Sequence, residues 1–414
     1  MEEIFLKDYH HFLIRAKFLF PFPLDPIIDG ALEIKNRKIV RVGPYSSLKK
    51  ECLQAKLIDF EDLVVMPVLT NAHIHLELSA LRFRVPPAGK FILWVRQILK
   101  KRQELSPMEI KESARIASLE LLKEGIGILG EVTNSALTVE VLKDLPLCGY
   151  IFQEVISFRG NYVLRELKEF SPKYKITYSA HAPYTVSSIL LQAIKAYNQK
   201  RKKIFTIHCA ESKEEIEFLQ TGEGPLAELL KERGQWNESF NPPRTSPVKY
   251  LDSVGVLTDN TLLIHAIHLE EEDFQILAQR GTKVCLCPRS NLYTGVGFPN
   301  LPKFLRYNIN LLIGTDSLAS NDRISIFEEI KSLYSHYPEV SPLALLQMAT
   351  SGGAKALGFE EYGSLKVGSF ANFIAVKTSI PLPSDLKKAL EEFIITEKEV
   401  KYRGYAFSYE PTFI

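Results

Sequence analysis

Two histidines one residue apart, His73 and His75, lie near the end of the stretch Val65-Met66-Pro67-Val68-Leu69-Thr70-Asn71-Ala72-His73-Ile74-His75-Leu76-Glu77. The stretch begins as an apolar run of β character. In an extended chain, residues i and i+2 point to the same side, so this spacing aims two imidazoles at one point. Two converging ring nitrogens suit a transition metal. Further histidines and carboxylates stand where other short apolar runs stop. His181 follows Ile176-Thr177-Tyr178-Ser179-Ala180, and His208 follows Ile204-Phe205-Thr206-Ile207, with Glu211 three residues on. His265 follows Leu262-Leu263-Ile264, and Asp316 follows Leu311-Leu312-Ile313-Gly314-Thr315. Six of the nine histidines lie in or beside these motifs, the sixth being His268. A lone histidine at a strand end is ordinarily a satisfied structural residue. Five such placements together favour a metal site.

These groups meet only if the runs that carry them are parallel neighbours. Apolar, β-branched runs occur near 64–69, 126–132, 149–156, 175–180, 203–208, 261–266, 283–287 and 309–314. Helical patterns lie between them, among them Phe91 to Lys101, Met108 to Lys123, Ser187 to Asn198, Glu270 to Gln279 and Ile324 to Tyr334. Eight strands alternating with helices predict an α/β fold, a (β/α)8 barrel, with an open doubly wound sheet as the competitor. In a barrel the C-terminal strand ends share one face, where active sites are built. No run is followed by Gly-x-Gly-x-x-Gly, so dinucleotide binding has no support. The longest insertion, roughly 212–260, is expected to wall the site. Within it, Ser212 to Glu217 reads as a solvated helix.

Both chain ends read as β-rich. Phe12 to Phe20 alternates in part, and Ala31-Leu32-Glu33-Ile34 and Lys38 to Gly43 flank a polar Lys35-Asn36-Arg37 turn, a hairpin signal. Gly363 to Gly368, Asn372 to Val376 and Val400 to Phe407 resemble strands too. Short strands need a partner sheet to bury their faces. The expectation is a small β-sandwich of residues 1–62 and 362–414 flanking a barrel of residues 63–361.

Composition narrows the function. The 414 residues are 46% hydrophobic and 24% charged, with 51 basic against 49 acidic side chains. That balance gives no nucleic-acid surface and no polybasic membrane face. The start, Met1-Glu2-Glu3-Ile4-Phe5, lacks a signal peptide's basic and apolar regions, and no run is long enough to span a bilayer. Five cysteines without a Cys-x-x-Cys pair argue against a disulfide framework and for a reduced, cytoplasmic setting.

With these motifs in order, the chain resembles the amidohydrolase superfamily, in its branch of deaminases and chlorohydrolases acting on purine-like and triazine-like rings. The matching stretches are Met66 to Glu77, Ser179-Ala-His-Ala-Pro-Tyr-Thr-Val-Ser, His208-Cys-Ala-Glu-Ser, Leu263-Ile-His-Ala-Ile-His-Leu, Cys287-Pro-Arg-Ser-Asn-Leu and Gly314-Thr-Asp-Ser-Leu-Ala-Ser-Asn. The tail Ser351-Gly-Gly-Ala-Lys-Ala-Leu-Gly-Phe and the Gly363 to Phe373 stretch match as well, so the likeness runs over roughly residues 11 to 408. It implies a barrel with a flanking β-sandwich. It also implies one metal ion, Zn2+ or Fe2+, on His73, His75, His208 and Asp316. Binuclear relatives carry a bridging lysine at the fourth strand end, where this chain has His181 and no lysine. The implied reaction is hydrolytic: Asp316 takes a proton from the metal-activated water, Glu211 is general acid and base, and His265 orients the attacking oxygen.

Substrate contacts implied by the resemblance are His181, Glu77, Arg84, Trp94 and Arg289, with Arg82, Tyr184 and Glu154 as further candidates. Phe83 to Val95, Gly222-Glu-Gly-Pro and Cys287 to Gly297 look most like the aminofutalosine deaminases of bacterial menaquinone synthesis. Deamination of adenosine, S-adenosylhomocysteine or guanine-type substrates is the near alternative, and a ring-amide (imidazolone-type) hydrolase the further one. A small-molecule substrate is expected, with no nucleic acid or membrane partner, and a homodimer by analogy with the branch. The separate zinc nucleobase deaminase pattern, His-x-Glu with Pro-Cys-x-x-Cys, is absent. Cys285-Leu286-Cys287-Pro288 has the wrong spacing and order. A non-catalytic scaffold of the superfamily is disfavoured because all four ligands and Glu211 are retained.

Overall fold

The computed structural model describes residues 2–5, 10–379, 383 and 385–405. The two chain ends pair in one seven-stranded mixed sheet. Its strands are β1 (Glu2–Phe5), β2 (His11–Leu19), β3 (Ile27–Lys35), β4 (Lys38–Pro44), β5 (Lys56–Pro67), β14 (Phe373–Thr378) and β15 (Lys398–Tyr405). Their order is β1-β15-β14-β5-β2-β3-β4. The hairpin expected at Lys35-Asn36-Arg37 forms: Lys35 faces Lys38, and Asn36 and Arg37 sit at φ 48° and 68°, as a two-residue turn with left-handed central residues requires. Helix α1 (Tyr45–Glu51) covers part of this sheet through Tyr45 and Leu48.

Period-two alternation splits β5 between two cores. Val65 packs with Phe12, Ile14, Leu32, Phe60 and Phe373 in a core of the sheet itself, whereas Val64 and Met66 join the large central core. Gly363 to Gly368 is a loop, not the strand its apolar residues suggested: Leu365 N donates to Phe22 O and Gly368 N to Ile39 O. The expected strand end at Ala406 and Phe407 falls outside the described residues.

The middle of the chain supplies eight parallel strands in two sheets of four. The first holds β6 (Leu69–Ile74), β7 (Ile126–Thr133), β8 (Cys148–Val155) and β9 (Tyr174–Ala180). The second holds β10 (Phe205–Cys209), β11 (Thr261–His265), β12 (Lys283–Leu286) and β13 (Leu311–Ile313). Backbone bonds cross both seams at the C-terminal ends: His208 N donates to His181 O, and Thr315 N and Asp316 N to His73 O. This is the barrel arrangement read from the alternating pattern. Its strands are nearly continuous buried apolar runs, as parallel strands covered on both faces must be. One boundary moves. Most of the run near 64–69 finishes β5 of the terminal sheet. Pro67, which has no N–H for a ladder, is the last residue of β5, and the first barrel strand starts at Leu69. The expected domain border at 62/63 therefore lies inside β5.

Helices follow the strands. They include α2 (Phe91–Gln103) and α3 (Pro107–Lys123) after β6, α4 (Leu137–Leu142) after β7, and α5 (Ser188–Lys200) after β9. The long insertion folds as α6 (Lys213–Thr221), α7 (Pro225–Glu232) and α8 (Pro247–Ser253). Helix α9 (Glu271–Arg280) follows β11, α10 (Pro288–Thr294) and α11 (Leu301–Arg306) follow β12, and α12 (Ile326–His336) follows β13. Among the described residues, no helix is long and apolar enough to cross a membrane, and all five cysteines are free and buried.

Candidate active site

The C-terminal ends of β6, β10, β11 and β13 bring the expected groups together. Nε2 of His73 stands 3.2 Å from Nε2 of His75 and 3.2 Å from Nε2 of His208. Asp316 Oδ1 lies 3.6 Å from His73 Nε2 and 3.8 Å from His75 Nε2. Gly314 permits this closeness: a Cβ there would come within 2.9 Å of His73 Cβ, His73 O and Cys285 Sγ.

The arrangement has a chemical test built in. His208 Nδ1 lies 2.7 Å from the His181 carbonyl and so carries the proton, which leaves Nε2 as an inward lone pair. His73 Nε2 lies between the other two and carries at most one proton, so hydrogen bonds among the three rings cannot satisfy them all. Ligand nitrogens of a tetrahedral zinc at 2.0–2.1 Å stand about 3.3 Å apart, close to the spacing found. The donor set, three imidazoles and a carboxylate, therefore fits one borderline-soft divalent ion. The second oxygen of Asp316 is fixed from behind: Oδ2 accepts from Ser290 Oγ at 2.6 Å and Ser320 Oγ at 2.9 Å. Oδ1 is thus aimed at the histidines.

Electrostatics agree with that role. Burial pushes His75 down to about 4, with His73 adding to the effect, and holds His208 well below the usual imidazole value. Neutral imidazole is the ligating form. Burial opposes the charge of Asp316, but the surrounding imidazoles of His73, His75 and His265 outweigh it, and the carboxyl stays well below its usual range.

Across the cluster stand Glu211 and His265. Glu211 Oε1 lies 3.5 Å from His265 Nε2. His265 Nδ1 lies 2.7 Å from Asn291 Oδ1, which places the proton on Nδ1. Burial, reinforced by the negative charge of Asp316, raises Glu211 well above the usual carboxyl value, the direction a proton donor needs. Burial also brings His265 down to about 4. Three of these strand ends depart from ordinary backbone: Ala210, His265 and Asp316 have φ of 52°, 72° and 54°. Non-glycine residues in that region cost roughly 1–3 kcal/mol each and gather at functional sites.

The cluster floors a cavity of about 190 Å3. Glu154, His181 and Asn134 line its polar end. Leu78, Val95, Ile98, Leu99, Leu229 and Leu230 line an apolar wall, and Arg233 stands exposed at the rim. Helices α2 and α7 supply most of that wall, and a two-pronged ion pair ties them, Arg96 to Glu232 at 2.6 and 2.9 Å. The insertion thus does wall the site. Its first helix is not simply solvated, however: α6 buries Glu215, Phe218 and Leu219, because Phe218 and Leu219 pack into a core with Phe158, Tyr184 and Leu226.

The substrate contacts implied by resemblance divide. His181 lines the cavity, its Nδ1 held 2.8 Å from Thr185 Oγ1. Trp94 lines it too, with Nε1 donating to Ala319 O at 3.1 Å. Tyr184 and Glu154 are at the wall, and Glu154 Oε2 accepts from Asn134 at 2.8 Å. Glu77 is buried and away from the cavity. Its carboxylate accepts from Thr133 Oγ1, Asn134 N, Ser135 N, Ser135 Oγ and Arg102, so it holds the loop after β7. Arg84 is exposed, 3.9 Å from Glu109. Arg82 binds Glu120 and Asp322 O. Arg289 pairs with Asp322 and does not line the cavity. The useful residues of its motif are the next two, Ser290 and Asn291, which reach Asp316 and His265. Arg102, Asn134 and Arg233 were not foreseen. They sit on helices and loops that carry no motif.

Comparison with known proteins identifies relatives, fold and family. The chain is 27% identical over 366 residues to a 5-methylthioadenosine/S-adenosylhomocysteine deaminase of Pelotomaculum thermopropionicum, covering 84% of this chain and 80% of that one. It is 27% identical over 355 residues to an aminodeoxyfutalosine deaminase of Deinococcus radiodurans, covering 80% and 81%. The fold matches that of Helicobacter pylori aminofutalosine deaminase, crystallised with methylthio-coformycin, with a TM-score of 0.83 at 23% identity over 95% and 98% of the two chains. It also matches a zinc-bound adenosine deaminase from Xanthomonas campestris, with a TM-score of 0.77 at 24% identity over 95% and 91%. The model of the amidohydrolase family matches residues 64–402. By that match, which spans the barrel and the strands that return to the terminal sheet, the chain belongs to the amidohydrolase family.

Proposed function

We propose that this protein is a hydrolytic deaminase that releases ammonia from the six-membered ring of an adenine-type nucleoside. One observation carries the reading: a buried Glu211 3.5 Å from His265, facing a three-histidine, one-aspartate cluster. Deamination needs both sides of that arrangement. A bound zinc or ferrous ion supplies a water of lowered pKa at neutral pH. Asp316 takes the proton from the attacking water, and His265 orients the oxygen through Nε2. Glu211 protonates the ring nitrogen next to the attacked carbon, which makes that carbon electrophilic. With that proton spent, Glu211 takes one back from the hydroxyl formed on the attacked carbon, and the proton held by Asp316 goes to the departing amine, so ammonia leaves and Glu211 is again protonated. His181 faces the ring from the far side of the cavity.

The relatives named for methylthioadenosine, S-adenosylhomocysteine and aminodeoxyfutalosine support an adenine-type ring carrying a 5′ extension. So does the cavity: an apolar wall leads from the polar end to Arg233, whose guanidinium makes no hydrogen bond or ion pair among the described residues. An extended, apolar substituent ending in an anionic group fits this sequence of surfaces. Aminodeoxyfutalosine is the leading candidate, and with it a role in menaquinone synthesis. The free, buried cysteines support a cytoplasmic setting.

The test is ammonia release by zinc-loaded protein from aminodeoxyfutalosine, methylthioadenosine, S-adenosylhomocysteine, adenosine, guanine and cytosine, each beside Glu211→Gln. Turnover of an adenine-type member is expected, with kcat reduced by about 10²–10⁴ in the variant and zinc retained. No ammonia from any member, with zinc at one equivalent, would transfer the assignment to ring-amide hydrolysis.

A further inference from the structure

Ser212 and Glu215 form the Ser-x-x-Glu signature that opens helix α6. In an ordinary capping box the glutamate at the third helical position reaches back to the N–H of the capping residue. Half of that box is present, since Ser212 Oγ accepts from Glu215 N at 3.2 Å. The other half is redirected. Glu215 Oε1 accepts from Ala210 N at 3.0 Å, and Oε2 accepts from Glu211 N at 2.9 Å. The carboxylate is fully buried. It grips the two amides that precede the cap, one on a residue at φ 52° and the other on the general acid.

That turn is also joined to the neighbouring strand. Ala210 O accepts from Ile267 N and His268 N, both at 2.9 Å, and Cys209 O accepts from Ala266 N at 3.0 Å. Those donors belong to the turn that follows His265, itself left-handed at His265 and Ala266. One side chain therefore holds a backbone junction from which Glu211 departs on one side and His265 on the other.

We propose that Glu215 is the positioning residue of this site: its carboxylate fixes the Ala210-Glu211 turn and thereby sets the approach of Glu211 to His265. A capping role alone would leave the two amides to other partners. Glu215 touches neither His265 nor the metal-ligand cluster, so its effect on the reaction passes through Glu211. The kinetic arm of the test rests on the deaminase reading.

Glu215→Asp separates the two roles. One methylene shorter, aspartate keeps the backbone N–H that Ser212 Oγ caps, but its carboxylate falls short of Ala210 and Glu211. We expect kcat for the adenine-type substrate to drop by about 10- to 100-fold, the cost of a displaced catalytic group, with KM within about threefold and zinc unchanged. In a Glu211→Gln background the same substitution should add less than about threefold, because residues acting as a unit are not additive. Equal losses in both backgrounds, or unchanged kcat, would overturn the proposal. Amide exchange across residues 205–217 gives a readout without turnover: Ala210 and Glu211 should exchange faster in Glu215→Asp, and unchanged protection would refute the brace. Faster exchange in a protein whose wild type releases no ammonia would sustain the brace and end the deaminase reading.

Discussion

Ser290→Ala removes a hydroxyl that a single atom of Asp316 depends on. Ser290 is fully buried and donates to Oδ2 at 2.6 Å, while Ser320 donates to the same oxygen at 2.9 Å. A hydrogen bond to a charged acceptor contributes about 1.5–3 kcal/mol. With Ser320 still in place Oδ2 keeps a partner, so the single variant belongs at the low end, about 1.5 kcal/mol. That loss falls on the orientation of Oδ1 toward His73 and His75. It should raise the zinc dissociation constant by roughly tenfold. Ser320→Ala should act alike. The double variant leaves a buried carboxylate oxygen with neither donor and should exceed the sum of the two. Competition with a chromophoric chelator measures the affinity, and thermal unfolding checks that the fold persists, since Ser→Ala removes only one atom. Unchanged zinc affinity in a folded double variant would show that Asp316 is not aimed by its two serines, and would remove it from the ligand set.

Two further expectations concern the terminal sheet and the cavity rim. Glu33 is buried, and burial raises its carboxyl, but hydrogen bonds from Arg41, Lys35 and His11 prevail and hold it at about 2 against a usual 4.5. A depressed folded value means stability present above pH 4.5 and lost as pH falls toward 2. With partly exposed partners the contribution is about 1–2 kcal/mol, so urea unfolding of Glu33→Gln should trail wild type at pH 7 and match it near pH 2; an equal gap at both would refute the linkage. At the rim, Arg233→Met should raise KM about tenfold for a substrate with an anionic 5′ substituent and leave methylthioadenosine unaffected. A parallel change in both would deny Arg233 any part in selection.

The convergence of the candidate site was legible because its residues stand at strand ends. His73, His75, His208, His265 and Asp316 each follow an apolar run, and parallel strands bring such ends to one face. The supporting groups were not legible for a different reason. Glu77 follows the histidine pair as a substrate contact would, yet its partners are Thr133, Asn134 and Ser135, more than fifty residues away. Arg289 drew notice by its charge, whereas Ser290 and Asn291 beside it reach the site on the inward side of a short helix. Glu215 reads as a surface carboxylate until the packing of Phe218 and Leu219 turns its helix inward. The first barrel strand was displaced because one apolar run continues across Pro67 from the terminal sheet into the barrel. Composition does not distinguish two strands of the same character.

The pair joining Arg96 to Glu232 has a consequence for kinetics. Both side chains are largely in solvent, at 39% and 52% exposure, and an exposed ion pair contributes at most about 1 kcal/mol. That clasp parts at little more than thermal energy, and the helices over the cavity keep only the small apolar core that Ile92 of α2 shares with Leu226, Ala227 and Leu230 of α7, while the strands beneath are braced by buried bonds. Ionic strength, which loosens the clasp and leaves the floor untouched, should shift the rate of exchange with solvent without altering the chemical step.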